Sequence, residues 1–284
     1  MRAPLRPKKS LGQHFLRDDD VHDEILHWAR LSPEDRVLEI GAGDGTLTRS
    51  LGKAAGRVIA VETDRRCLDR LRREFPEGGP VEIVDADILD FDLSALGPQA
   101  PLKVVGDLPY NIATAVLERL LTEGHLFSFM ILMFQKEVGL RLVAPSGSGA
   151  YGSLSLATQY RAEAEIIRIV PPEAFVPRPK VDSVLLHVVP RSHPLLPPAE
   201  EKVFTRLVRA GFAHRRKTFL NSLARAGSPV PPERVAAALA DLSLPAMVRA
   251  EMIGFEQFLE LARRLAPAAG QGREDAGPAG SGHE

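Results

Sequence analysis

The feature that most constrains this chain is the turn Gly41-Ala42-Gly43-Asp44-Gly45, which follows the apolar run Val37-Leu38-Glu39-Ile40 without a break. A buried strand that gives way to glycines and then to a helical pattern opens a βα unit, and the glycines let a ligand approach the backbone closely. The pattern recurs. Val58-Ile59-Ala60-Val61 ends at Glu62, residues 65–75 read as a basic-faced helix, and Val81-Glu82-Ile83-Val84 runs into Asp85-Ala86-Asp87. Leu102-Lys103-Val104-Val105 leads into Gly106-Asp107. Strands alternating with helices predict a parallel, doubly wound sheet whose ligands sit at the carboxyl ends of the strands. The glycine turn with Gly41 and Gly43, and the acidic residues Glu62, Asp87 and Asp107, therefore belong to one crevice.

Two ligands are candidates for that crevice. A dinucleotide site calls for G-x-G-x-x-G, with the third glycine admitting a pyrophosphate at the helix N-terminus, and Thr46 stands in that place. Glu39 before the turn and Asp44 within it make the site acidic, which suits a sulfonium and ammonium ligand better than phosphates. Glu62 fits ribose hydroxyls, and Asp87 can accept from an adenine amino group. The fourth strand then delivers Asp107-Leu108-Pro109-Tyr110. Those residues suit a flat, hydrogen-bonding base: Asp107 and the Leu108 carbonyl accept from an exocyclic amine, Pro109 stiffens the loop, and Tyr110 stacks on the ring.

Beyond that loop the spacing predicts helices over 113–123 and from Gln135, a central strand over 129–134, and a helix over 151–160. Residues 166–170 and 184–189 read as a closing antiparallel pair, separated by a proline-stiffened insertion that presents Phe175. His193-Pro194-Leu195-Leu196-Pro197-Pro198 marks a domain boundary, after which only helices are expected. The expected organisation is a domain over 1–192, a helical domain over 193–266 and a disordered Gly-, Ala- and Pro-rich tail over 267–284. The formal net charge is only −1, but Lys202, Arg206, Arg209, Arg215, Arg216, Lys217 and Arg225 crowd one segment, which reads as a grip for nucleic-acid phosphates. A second basic cluster, Arg2, Arg6, Lys8 and Lys9, opens the chain. One cysteine, Cys67, excludes an internal disulfide framework, and neither a membrane span nor a signal peptide is indicated, so a cytoplasmic protein is expected.

Seven motifs, taken together, resemble a known family. They are Leu11-Gly12-Gln13-His14-Phe15-Leu16, Glu39-Ile40-Gly41-Ala42-Gly43, Leu108-Pro109-Tyr110-Asn111-Ile112, Gln135-Lys136-Glu137-Val138, Tyr151-Gly152, Phe175-x-Pro177-x-Pro179-Lys180-Val181-Asp182-Ser183, and Arg215-Arg216-Lys217-Thr218 followed by Asn221-Ser222-Leu223. In this order they resemble the bacterial small-subunit ribosomal RNA adenine dimethyltransferases. The resemblance implies a Rossmann-like class I methyltransferase fold, α/β with a mostly parallel sheet and an antiparallel closing strand, plus a small all-α C-terminal domain. It implies dimethylation of N6 on two adjacent adenines near the 3′ end of 16S rRNA, from S-adenosyl-L-methionine, within a pre-small ribosomal subunit. By the same resemblance, cofactor contacts fall on His14, Leu16, Gly41, Glu62, Asp87 and Asp107. Two positions depart from the family: His14 stands where Asn is frequent, and Asp107 where Asn is usual.

The mechanism expected is in-line transfer without metal or covalent enzyme intermediate. Asp107 and the Leu108 carbonyl orient the N6 lone pair and stabilise its growing charge rather than remove a proton, while Tyr110 and Phe175 sandwich the base. Arg215, Arg216 and Lys217 are the expected RNA contacts, and a monomer is expected. The alternatives are a large-subunit rRNA or DNA adenine methyltransferase, or a non-catalytic assembly factor on the same scaffold.

Overall fold

The computed structural model describes residues 13–97 and 101–267. The basic opening, with Leu11 and Gly12, and the tail beyond residue 267 lie outside the described residues. The chain divides into two compact units, one of residues up to Val143 and Thr158–His193, the other of Ala144–Ala157 and everything from Pro194.

The first unit is built on a seven-stranded sheet. Its parallel part consists of β2 (Arg36–Ile40), β3 (Arg57–Glu62), β4 (Val81–Asp85), β5 (Leu102–Asp107) and β6 (Phe127–Gln135). β7 (Ala162–Val170) and β9 (Ser183–Pro190) complete it, and the order is β4-β3-β2-β5-β6-β9-β7. β9 runs antiparallel to both neighbours, which closes the edge as expected from the 166–170 and 184–189 patterns. The chain starts at β2, steps outward to β4, then returns to β5 on the other side of β2. Strand order therefore reverses between β2 and β5, the place where a doubly wound sheet opens a crevice. A separate two-stranded ribbon pairs β1 (Phe15–Leu16) with β8 (Phe175–Val176).

The parallel strands are apolar on both faces because helices cover both, which is why they read as continuous runs. α1 (Asp19–Ala29) is capped by Asp18, whose carboxylate accepts from the Val21 N–H at 3.1 Å, and it buries Val21, Ile25 and Ala29 against Val37, Val105 and Ile131 of the sheet. α2 (Thr46–Ala54), α3 (Arg65–Glu74), α4 (Ala113–Thr122) and α5 (Lys136–Leu142) follow their strands in turn.

The second unit takes in the start of α6 (Ser153–Arg161), then α7 (Pro198–Gly211), α8 (Phe219–Arg225), α9 (Pro232–Asp241) and α10 (Phe255–Leu265). Phe258 is its hub, with Phe204, Phe212 and Phe219 at ring-centroid distances of 6.5, 6.2 and 5.7 Å. Residues 144–157 were expected in the first domain, and the structure assigns them here. Tyr151 is buried, packs its ring 5.9 Å from Phe212, and donates its hydroxyl to the Ile253 carbonyl at 3.1 Å. The Gly147 N–H adds a bond to the Glu251 carbonyl at 2.8 Å.

Candidate active site

A cavity of about 230 Å³ opens at the carboxyl ends of β2, β3 and β5, where the switch point lies. Gly41 and Gly43 form its floor with φ of 77° and 56°. A Cβ on Gly41 would stand 3.4 Å from the Asp107 carbonyl oxygen, and one on Gly43 would press to 3.2 Å from the Phe15 ring, so the turn is glycine for conformation and for space alike.

Acid dominates the walls. The Glu62 carboxylate accepts from the N–H groups of Gly43, Thr63 and Asp64 at 2.9, 2.8 and 2.8 Å, tying β3 to the glycine turn. Glu39 is 2% exposed, and its Oε2 is buried without a hydrogen-bond partner. Burial first, with the nearby Glu62 charge adding, pushes the Glu39 carboxyl up to about 8. Asp87 lies at the rim and accepts from the Leu89 N–H at 2.9 Å. Asp44 also lines the cavity, but it is not free to attract a ligand as its position in the sequence suggested. Arg17 sits 2.6 Å from it and Thr46 donates to it, so its charge is already matched. His22, buried on the same wall, is held below its ordinary proton affinity by desolvation and adds no cation.

None of the described lining residues is Lys or Arg. Such a donor-poor, carboxylate-rich cavity repels a pyrophosphate and fits a ligand that carries a sulfonium and an ammonium group. The Glu39 oxygen without a partner among the described residues is available to a hydrogen-bonding group of a ligand. His14 and Leu16 line the cavity beside the glycine turn, with Glu62 and Asp87 farther along the wall.

The acceptor loop borders the same space. Leu108 is buried and anchors the loop, while Asp107, Pro109 and Tyr110 face the cavity. The Asp107 carboxylate makes no hydrogen bond or ion pair with any described residue, and burial alone pushes it up to about 7. The Tyr110 hydroxyl shares a 2.7 Å hydrogen bond with Ser183. His14 stacks on the Tyr110 ring, centroids 5.6 Å apart and planes 23° from parallel, and its Nδ1–H donates to the Pro177 carbonyl at 2.7 Å. The loop is thus clamped between the N-terminal segment and the 171–183 insertion.

Phe175 is not where the sequence suggested. It is 1% exposed and sits in the core with Leu16, Val170, Met133 and Leu185, away from the cavity lining. Pairing of Leu16 with Phe175 in the β1–β8 ribbon turns that ring inward and leaves the next residue, Val176, 55% exposed. The aromatic neighbour of Tyr110 is therefore His14, not Phe175. Ser183, Arg17 and His22 were not assigned to the site from sequence. Ser183 meets Tyr110 across 73 positions, and Arg17 meets Asp44 across 27, so although Ser183 ends one of the motifs, nothing local signalled either contact.

In the second unit, Arg215, Arg216 and Lys217 are exposed in the turn between α7 and α8. Lys202, Arg206 and Arg209 are exposed on α7 at spacings of four and three, which place them on one helix face. The polar residues beside them are structural: Thr218 caps α8 by accepting from the Asn221 N–H at 3.3 Å, and the Ser222 hydroxyl donates to the Ala210 carbonyl at 2.7 Å.

A doubly wound sheet with an acidic, cation-accepting cavity at its switch point and an Asp-Leu-Pro-Tyr loop beside it defines a Rossmann-like methyltransferase. The chain belongs to the ribosomal RNA adenine dimethylase family, whose model matches residues 5–266. It is 42% identical over 269 residues to the ribosomal RNA small subunit methyltransferase A of Geobacter sulfurreducens, covering 94% of this chain and 98% of that protein. Among solved structures, a dimethyladenosine transferase from Plasmodium falciparum superimposes with a TM-score of 0.75 at 25% identity, covering 87% of this chain and 96% of that one. The 23S rRNA methyltransferase ErmE does so with a TM-score of 0.70 at 31% identity, covering 88% and 99%. The protein is an enzyme of this family and uses a methyl donor of the S-adenosylmethionine type.

Proposed function

We propose that the protein transfers methyl groups from S-adenosyl-L-methionine to N6 of two adjacent adenines near the 3′ end of 16S rRNA, acting as a cytoplasmic monomer on a pre-small ribosomal subunit. The near full-length match to a small-subunit enzyme, at higher identity than to the 23S enzyme, supports the choice of RNA. The observation that carries the chemistry is the Asp107 carboxylate: it stands without a partner among the described residues on the wall of a cavity whose other walls suit a cationic methyl donor.

Bound, S-adenosylmethionine supplies an electrophilic methyl group. Gly41 and Gly43 would give it room beside the turn, Glu62 and Asp87 would meet hydroxyl and amino groups, and Glu39 would face positive charge. His14 and Leu16 close the space. Adenine N6 is a weak nucleophile because its lone pair is delocalised into the ring. Asp107 and the Leu108 carbonyl accept from the amine and turn that lone pair toward the methyl, a contribution of position and electrostatics. Tyr110 supplies a stacking face for a base taken out of its helix, with Ser183 fixing the ring's angle. Arg215, Arg216 and Lys217, with the basic face of α7, bind phosphates and RNA shape.

Labelled methyl transfer to undermethylated small subunits tests this reading. Asp107→Ala is expected to abolish transfer while S-adenosylmethionine binding, followed by titration, stays largely intact. Full activity in that variant contradicts it. An enzyme acting on large-subunit RNA, favoured only by the superposition on the 23S methyltransferase, would instead label 23S rRNA in the same assay.

A further inference from the structure

We infer that Asp107, expected from the sequence only to orient the amine and stabilise its charge, also takes the proton that adenine N6 must shed on methylation; this revises that expectation and rests on the acceptor-loop reading above. The chemistry creates the need. The N6 lone pair forms the new N–CH₃ bond as the S–CH₃ bond breaks, and that bond's electron pair remains on sulfur. Nitrogen is left positive with its hydrogens still attached, and one leaves as a proton. Accepted on a carboxylate oxygen of Asp107, that proton converts the pair of opposite charges present before reaction, sulfonium and carboxylate, into a neutral thioether and a neutral carboxylic acid. On the wall of a cavity where Asp107 is half-buried, removing both charges together is the favourable course. An amide at this position could orient the amine but could not take the proton.

The other groups facing the cavity are not suited to the task. From β3, Glu62 has its oxygens committed to three backbone N–H groups. From the turns after β2 and β4, Asp44 is paired with Arg17 and Asp87 caps Leu89. His14, on the segment entering β1, directs Nδ1–H to Pro177, and His22 of α1 is buried behind the turn. Tyr110, on the same loop as Asp107, is bonded to Ser183, and its phenol is pushed up to about 12, chiefly by burial. Glu39, at the end of β2, is buried on the glycine-turn side, where positive charge of the donor is expected. Asp107 is left with no hydrogen-bond or ion-pair partner among the described residues, on the wall of the cavity beside Tyr110, and with a proton affinity near neutrality that suits a base working at physiological pH.

The test is single-turnover methyl transfer at saturating donor and RNA between pH 5.5 and 9, together with the ¹³C carboxyl resonance of Asp107 in the donor-free and donor-bound enzyme. The rate of the unsubstituted enzyme is expected to rise through one ionisation to a plateau. Asp107→Asn should lose that pH dependence and run slower by on the order of a hundredfold, the usual reach of a general base. The Asp107 resonance should titrate near neutrality without donor and at lower pH with it, since a sulfonium favours the carboxylate. Wild-type rate and profile in Asp107→Asn, with Asp107→Ala inactive, overturns proton acceptance alone. Full activity in Asp107→Ala overturns the loop's assignment and proton acceptance together. A resonance that titrates in the ordinary carboxylate range in the donor-free enzyme also overturns the inference.

Discussion

Two carboxyls in the cavity, Glu39 and Asp107, are lifted well above the ordinary acid range by burial, and this has a cost that can be measured. In the folded protein each holds a proton that the unfolded chain releases. The folded state therefore binds more protons, and stability falls as pH rises from the ordinary range near 4 through about 7 for Asp107 and about 8 for Glu39. Each group contributes at most about 1.4 kcal/mol per pH unit inside its window. The melting temperature of the donor-free enzyme should drop between pH 6 and 8, and Glu39→Gln, which keeps the shape and removes the charge, should flatten that drop; an unchanged slope in the variant would show that Glu39 is ionised throughout. The acidity of this site was legible in the sequence, since Glu39, Glu62, Asp87 and Asp107 all fall at strand ends. What was not legible is which carboxylates stay unpaired. Asp44 lies within the glycine turn and looked like part of the ligand's environment, yet Arg17, reached only by folding, neutralises it.

At the scale of elements, predominantly apolar runs and the turns after them located every strand of the parallel sheet, because strands covered on both faces keep few polar residues to blur the pattern, Glu39, Glu82 and Lys103 among them. The β1–β8 ribbon was hidden, since two residues are too few to show a period. That ribbon decides the fate of Phe175: a shift of one position in its pairing would expose the ring and bury Val176 instead. Phe175→Ala is accordingly expected to destabilise the protein by about 3–5 kcal/mol, as for a large core aromatic, in equilibrium denaturation with urea. Unchanged stability with a large fall in turnover would restore Phe175 as a stacking residue. The allegiance of residues 144–157 was equally out of reach, since it depends on Tyr151 meeting Phe212 and Ile253, some sixty and a hundred positions away.

For the whole molecule, the near-neutral total charge conceals a division of labour, acid gathered around the donor cavity and exposed base on the helical unit. Binding through Arg215, Arg216 and Lys217, as proposed, would release counterions from RNA and so be steeply salt-dependent. Replacing all three with Ala should lower rRNA affinity and reduce the slope of log affinity against log salt by about two to three. A slope equal to that of the unsubstituted protein would move the RNA contact elsewhere. No helix of the described residues is long and apolar enough to cross a membrane. The proposed reaction joins two chemistries: a cationic methyl donor in the acidic cavity, and an adenine amine delivered to it by the Asp107 loop. Reverse-transcription mapping of rRNA from cells lacking the enzyme, after complementation with the unsubstituted protein or with Asp107→Ala, tests it most directly. Strong stops at two adjacent adenines near the 3′ end of 16S rRNA are expected with the unsubstituted protein and none with the variant, whereas stops in 23S rRNA, or equal stops with both proteins, would overturn the assignment.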